Sequence, residues 1–192
     1  MNLMPRILCV FFLIILGSCS KQDKEKWDDE KEYWSPLMHA VYDNDTEEFI
    51  DLIDKNADVN FISKGENTNW ELTALDVSLF MNNDIAVEKL LATGKVKNLN
   101  NYMIRAASES NARSIQLLID RGADPNKSLE NGYNALMSAS SFGSFEVLEC
   151  LLKNNANPNF SRKIDKMTAL KLAEMSGNTA KVELLLKYGA KK

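Results

Sequence analysis

The side chains able to do chemistry in this chain are few and scattered. There is one histidine, His39, and three cysteines, Cys9, Cys19 and Cys150, with 27 carboxylates set against 23 Lys and Arg. A lone histidine cannot build the two-histidine zinc motifs, and no cysteine lies near His39 to act as its nucleophile. No Gly-rich phosphate loop and no Gly-x-Ser-x-Gly elbow occurs. The acids come in runs, such as Asp28-Asp29-Glu30 and Glu47-Glu48, which suit solvated faces and helix N-termini better than acid–base work. His39 reads as a packed or surface residue. Cys150, among Val147, Leu148, Leu151 and Leu152, reads as a buried apolar one. The expectation is a chain with no catalytic centre, no cofactor, no metal and no small-molecule substrate. The net charge of −4 and the lack of a basic cluster argue against nucleic acid, which needs phosphate-neutralising cations. A protein partner is the remaining class, and mild acidity suits a basic one.

Cys19 is different because of what precedes it. Arg6 is the only charge before the apolar run Ile7–Leu16, which is too short for a spanning helix of about 20 residues. A positive start, a short apolar run and small residues make a secretory signal peptide. The run ends Leu16-Gly17-Ser18-Cys19, which resembles the lipobox of bacterial lipoproteins. The resemblance implies that the Cys19 thiol is acylated and the chain cleaved ahead of it. Two or more acyl chains hold a protein stably at a membrane. Ser20, rather than Asp, implies sorting to the outer membrane by resemblance to enterobacterial lipoproteins. The expected place is therefore the bacterial cell envelope, lipid-anchored and facing the periplasm. Losing residues 1–18 removes Arg6 and no acid, so the charge becomes −5. Cys150 is then left without a disulfide partner.

The elements that position everything else come from an internal repeat. Five segments open alike: Ser35-Pro36-Leu37-Met38-His39-Ala40, Thr73-Ala74-Leu75-Asp76-Val77-Ser78, Asn101-Tyr102-Met103-Ile104-Arg105-Ala106, Asn134-Ala135-Leu136-Met137-Ser138-Ala139 and Thr168-Ala169-Leu170-Lys171-Leu172-Ala173. A second apolar stripe follows each opening, as in Ile115, Leu117-Leu118 and Ile119. A Gly or Asn turn then ends each unit: Asn56-Ala57-Asp58, Gly94-Lys95-Val96, Gly122-Ala123-Asp124, Asn155-Ala156-Asn157 and Gly189-Ala190. The distance from opening to turn is constant, while the distance between units varies, so length changes fall in the connecting loops. This scheme resembles the ankyrin repeat, Thr-Pro-Leu-His-x-Ala-Ala through Gly-Ala-Asp-x-Asn, with Arg121-Gly122-Ala123-Asp124-Pro125-Asn126 a near match. The second unit departs most, and the family's histidine is missing from every opening. The resemblance implies an all-α ankyrin-repeat solenoid of about five helix-turn-helix repeats with short loop or β-hairpin fingers. The expected division is a signal peptide over 1–18, a lipidated Cys and charged linker over 19–33, and a repeat domain over 34–192.

Ankyrin proteins bind partners on the concave face, from loop tips and the ends of first helices. The resemblance carries those positions onto Trp34, Tyr42 and Asp43, then Trp70, Leu72, Phe80 and Met81. Asn100, Ser108 and Glu109 follow, then Glu130, Tyr133, Ser141 and Phe142, and finally Asp165, Met167 and Met175. Six of these are aromatic, the material of interface hot spots; the alternative is that Trp34 and Tyr42 cover the open end of the first repeat. The implied function is capture of one specific protein. Its sharper form is an immunity protein that neutralises a secreted toxin, such as a membrane-attacking lipase. The alternative is a helper for a periplasmic enzyme such as a peroxide-removing one.

Overall fold

A computed structural model describes residues 31–64, 71–109 and 111–191. The expected signal peptide, Cys19 and most of the expected linker lie outside the described residues, as does Trp70. A 3-10 turn, Lys31–Tyr33, leads into helices α1 (Pro36–Tyr42) and α2 (Thr46–Asp54). A two-stranded antiparallel hairpin, β1 (Ser63–Lys64) and β2 (Glu71–Leu72), follows. Then come α3 (Ala74–Phe80), α4 (Asp84–Ala92), α5 (Leu99–Glu109), α6 (Ala112–Asp120), α7 (Ala135–Ser141), α8 (Phe145–Lys153), α9 (Ala169–Met175) and α10 (Thr179–Lys187). Among the described residues these are five helix pairs. The odd-numbered helices stack in order as an inner layer, and α4, α6, α8 and α10 stack behind them. No described helix is long and apolar enough to cross a membrane.

The recurrent opening is a helix start. Ser35, Thr73, Asn134 and Thr168 each accept, on the side-chain oxygen, the backbone N–H three residues ahead, at 2.9–3.3 Å. This satisfies one of the amides that a helix N-terminus leaves unpaired. Asp45, Asn83, Asn111, Ser144 and Asn178 do the same for the second helices. The Gly and Asn turns close those helices in the left-handed region, with φ of 61° at Asn56, 65° at Gly94, 94° at Gly122, 62° at Asn155 and 87° at Gly189.

The core is one continuous sheet of side chains between the layers. Leu37, Leu75, Met103, Leu136 and Leu170 from the inner helices meet Leu90, Ile115, Leu118, Leu148 and Leu151 from the outer ones, all fully buried. A helix pair alone would expose this face, so neighbouring repeats complete each other. Gly143 marks the closest approach: a Cβ there would sit 2.3 Å from the Ala107 carbonyl oxygen and 2.8 Å from Ala139 Cα. Lys181 fills the α10 position that Val147 occupies on α8. Its ammonium donates to the carbonyls of Ala139 and Ser140 at 2.9 and 3.3 Å, and burial pushes its pKa down.

Asparagine side chains tie the turns together along one edge. Asn60 donates to Lys95 O and accepts from Lys97 N–H; Asn126 donates to Asn155 O and accepts from Asn157 N–H. Asn159 repeats the pattern with Gly189 and Lys191.

The third repeat departs from its expected register. The short spacing before it removes a finger, and α5 begins at Leu99, so Asn101 lies inside the helix rather than capping it. Asn100, expected to face a partner, instead accepts the Asp124 N–H at 2.7 Å and joins the asparagine series. Cys150 is half-buried rather than buried, its thiol directed at Ala112 O and Gln116 across the α6–α8 contact.

Candidate protein-binding face

Three fingers project beside the inner helices. The first is the β1–β2 hairpin, with Ser63 opposite Leu72 and Lys64 opposite Glu71. The second is closed by a bridge between Ser128 and Asn134, with Leu129 N–H bonded to Tyr133 O at 2.8 Å and Gly132 N–H to Leu129 O at 2.8 Å. The third is closed by a bridge between Ser161 and Thr168, with Arg162 N–H bonded to Met167 O at 2.9 Å. Gly132 has a φ of 77°, and a Cβ on it would meet the Arg162 side chain at 3.4 Å. The second and third fingers therefore stand side by side.

Tyr133 leaves the second finger and runs along its own repeat, donating from its hydroxyl to Ser141 Oγ at 3.5 Å. The contact places finger base and helix end in one row. Burial raises the Tyr133 pKa against the opposing pull of Ser141 and the Arg162 charge. Phe142 caps α7 and is half-buried. In the next row Met167 is half-buried and Met175 is 74% exposed. Asp165 is exposed, accepts the Met167 N–H at 3.0 Å and lies 3.6 Å from the Arg162 guanidinium. Glu130 is exposed on the neighbouring finger. In the second repeat, Leu72, Phe80 and Met81 are half-buried, with Leu72 and Met81 packed on the core.

The first repeat differs. Trp34 is only 7% exposed, with the His39 ring tilted against it at 5.8 Å and Tyr42 edge-on at 5.4 Å. Its indole packs into the core, in keeping with the alternative that Trp34 covers the end of the first repeat, since among the described residues no repeat precedes the first inner helix. Tyr42 is half-buried at the rim of this cluster, and Asp43 is exposed at the end of α1. The structure gives Glu109 as the last residue of α5, and Ser108 turns its hydroxyl back to the Arg105 carbonyl at 2.7 Å.

Where the finger is missing, a polar cluster seals the joint. Thr73 Oγ1 lies 3.0 Å from the Tyr102 hydroxyl and donates to Asp76 Oδ2 at 2.8 Å, and the other Asp76 oxygen pairs with Arg105. Thr73, Asp76 and Tyr102 are buried, while the Arg105 side chain is half-exposed on the finger side. Burial raises the Tyr102 pKa. Sequence reasoning missed this cluster because its members stand in different repeats, 26 to 32 residues apart in sequence. It also passed over Arg162, Lys163, Ile164, Lys166 and Lys171, although the basic run around the third finger is visible in the chain.

The repeat geometry of caps, left-handed turns and fingers agrees with the comparison to known families, in which a model of ankyrin repeats matches residues 103–192 in three copies. This is an ankyrin-repeat solenoid. The chain is 32% identical over 130 residues to the mitochondrial disaggregase of Bos taurus, covering 64% of this chain and 18% of that protein. It is 32% identical over 137 residues to an ankyrin repeat, SAM and basic leucine zipper domain-containing protein of Dasypus novemcinctus, covering 66% of this chain and 27% of that one. It is 27% identical over 169 residues to the transient receptor potential channel A1 of Homo sapiens, covering 81% of this chain and 15% of the channel. The chain thus spans less than a third of each of these relatives. Ankyrin repeats mediate protein–protein interaction. Among the described residues no group of three or more His, Cys, Asp or Glu could hold a metal ion.

Proposed function

We propose that this ankyrin solenoid is a non-catalytic binding module, lipid-anchored through Cys19 in the bacterial envelope and facing the periplasm, that captures one specific protein. The observation that carries it is the row built by Tyr133, Ser141, Phe142, Met167 and Met175 on two adjoining repeats, where apolar side chains stand at positions a purely structural repeat leaves polar. Half-buried aromatics held against a scaffold lose little side-chain freedom on binding, which is how interface anchors work. The sharper form is an immunity protein whose partner is a secreted toxin. A tether that concentrates an inhibitor at the membrane raises its effective concentration where such a toxin acts. The tether rests on the lipobox-like Leu16-Gly17-Ser18-Cys19 behind the apolar run.

Two experiments test this. Cys19→Ala should move the protein from the membrane to the soluble fraction or leave it unprocessed; normal membrane retention would remove the anchor from the account. Gene neighbourhood supplies candidate partners for direct binding: a secreted toxin encoded beside this chain, or a periplasmic enzyme. A toxin whose affinity falls about tenfold or more on joint Tyr133→Ala and Phe142→Ala substitution supports the immunity reading. A neighbouring periplasmic enzyme bound through the same row, with no toxin bound, would replace it by the helper role.

A further inference from the structure

The charge of this molecule is not spread along it. Residues 31–64, the first repeat and its finger strand, carry eight acids and three bases, a net −5, whereas residues 134–192 carry nine bases and five acids, a net +4. The mild overall acidity therefore describes neither end. The binding row lies at the positive end. Lys163 and Lys166 are exposed on the third finger, and Lys171 is exposed at the start of α9 with its ammonium on the Lys166 carbonyl at 3.0 Å. Arg162 is half-buried against Gly132, and the nearby Asp165 lies beside it. Between the two lysines of the finger stands Ile164, 77% exposed, and α9 ends in the similarly exposed Met175. These two are the most exposed large apolar side chains among the described residues.

We infer that the partner segment seated on this C-terminal half of the strip is an acidic peptide stretch with an apolar side chain among its carboxylates. This rests on the reading of the strip as a protein-binding face and names the chemistry it selects. A purely apolar partner would strip water from Lys163 and Lys166 and return no opposite charge, a cost that carboxylates remove. A basic partner would meet like charge here and be drawn to the first repeat. A nucleic acid would supply anions, but its continuous backbone would run toward the acidic first repeat and gain nothing from Ile164 or Met175.

A display selection of random dodecapeptides on the full mature chain supplies the probe, and the enriched sequence is then made as a fluorescent peptide. Enriched peptides should carry two or more Asp or Glu beside a Leu, Ile or Phe. Affinity should fall about tenfold in Lys163→Glu with Lys166→Glu, and several-fold between about 0.05 and 0.3 M salt. It should change less than about twofold in Glu47→Lys with Glu48→Lys, at the opposite end. Acid-poor binders, or binders indifferent to the lysine reversals yet lost with Tyr133→Ala and Phe142→Ala, would overturn the acidic segment and leave the strip standing. No enrichment, or binders indifferent to both pairs, would overturn the strip as well. Tighter binding of a single-stranded oligonucleotide than of the peptide, lost on the same lysine reversals, would replace the peptide by nucleic acid.

Discussion

The joint between the second and third repeats and the joint between the fourth and fifth solve the same packing problem in opposite ways. At the former the finger is gone, α5 starts early, and Thr73, Asp76, Tyr102 and Arg105 close the gap with buried hydrogen bonds and an ion pair. At the latter two full fingers stand side by side, and Tyr133, Phe142, Met167, Ile164 and Met175 remain partly or largely at the surface. The first joint spends its polar groups internally. The second leaves apolar and basic groups facing outward, where the proposed function has them serve binding more than folding. Stability and affinity should therefore separate between the two joints.

The largest stability loss is expected beneath the binding row. Leu151 is fully buried on α8, and Leu151→Ala should cost about 2–5 kcal/mol, spreading to both neighbouring repeats. Equilibrium denaturation measures it, with the exposed Lys153→Ala as the reference; equal shifts would mean the repeat register is wrong. Next comes the sealed joint. Asp76→Ala removes the acceptor of the Thr73 N–H and hydroxyl and frees Arg105, leaving Tyr102 bonded to Thr73 alone. Because the Arg105 side chain is half-exposed, the expected loss is about 1–3 kcal/mol, below that of a fully buried pair. A Tm no lower than that of Asp43→Ala would show the cluster to be incidental.

These two sites also show what the chain made legible. The five openings, the Gly and Asn turns and the fingers could be read from it because caps and left-handed residues act within a few positions. The first repeat could be read only in outline: nothing local tells a core indole at Trp34 from an exposed one, since the answer depends on what packs against the end of the stack. The consequence of the short second repeat was not legible, because the Thr73–Tyr102 and Asp76–Arg105 contacts are made across repeats. The asparagine series escaped for the same reason, each member bonding a turn about one repeat away. Of the expected binding residues, those of the fourth and fifth repeats come together in adjoining rows, whereas Trp34 and Asn100 serve the scaffold.

Smaller effects sharpen the contrast. Tyr102 and Tyr133 both have pKa values raised above 10 by burial. The folded state therefore holds their protons longer than the unfolded chain. Their contribution is complete below pH 10 and is lost as pH rises through 10 toward the raised values. Tyr102→Phe should flatten the alkaline fall in Tm, and an unchanged slope would show that the phenol ionises freely. Smallest of all, Lys163→Glu with Lys166→Glu should shift stability by less than about 0.5 kcal/mol, as exposed substitutions do. A larger loss would mean that the finger is part of the fold's support.

The central claim is that the partner lies on the face of the fourth and fifth repeats, and site-specific photo-crosslinking in the native cell tests it most directly. A photoreactive residue in place of Phe142 should give one discrete adduct. The same residue in place of Glu183, exposed on the outer helix α10, should give none. An adduct from position 183 with nothing from position 142 would contradict the account and move the binding site to the outer layer.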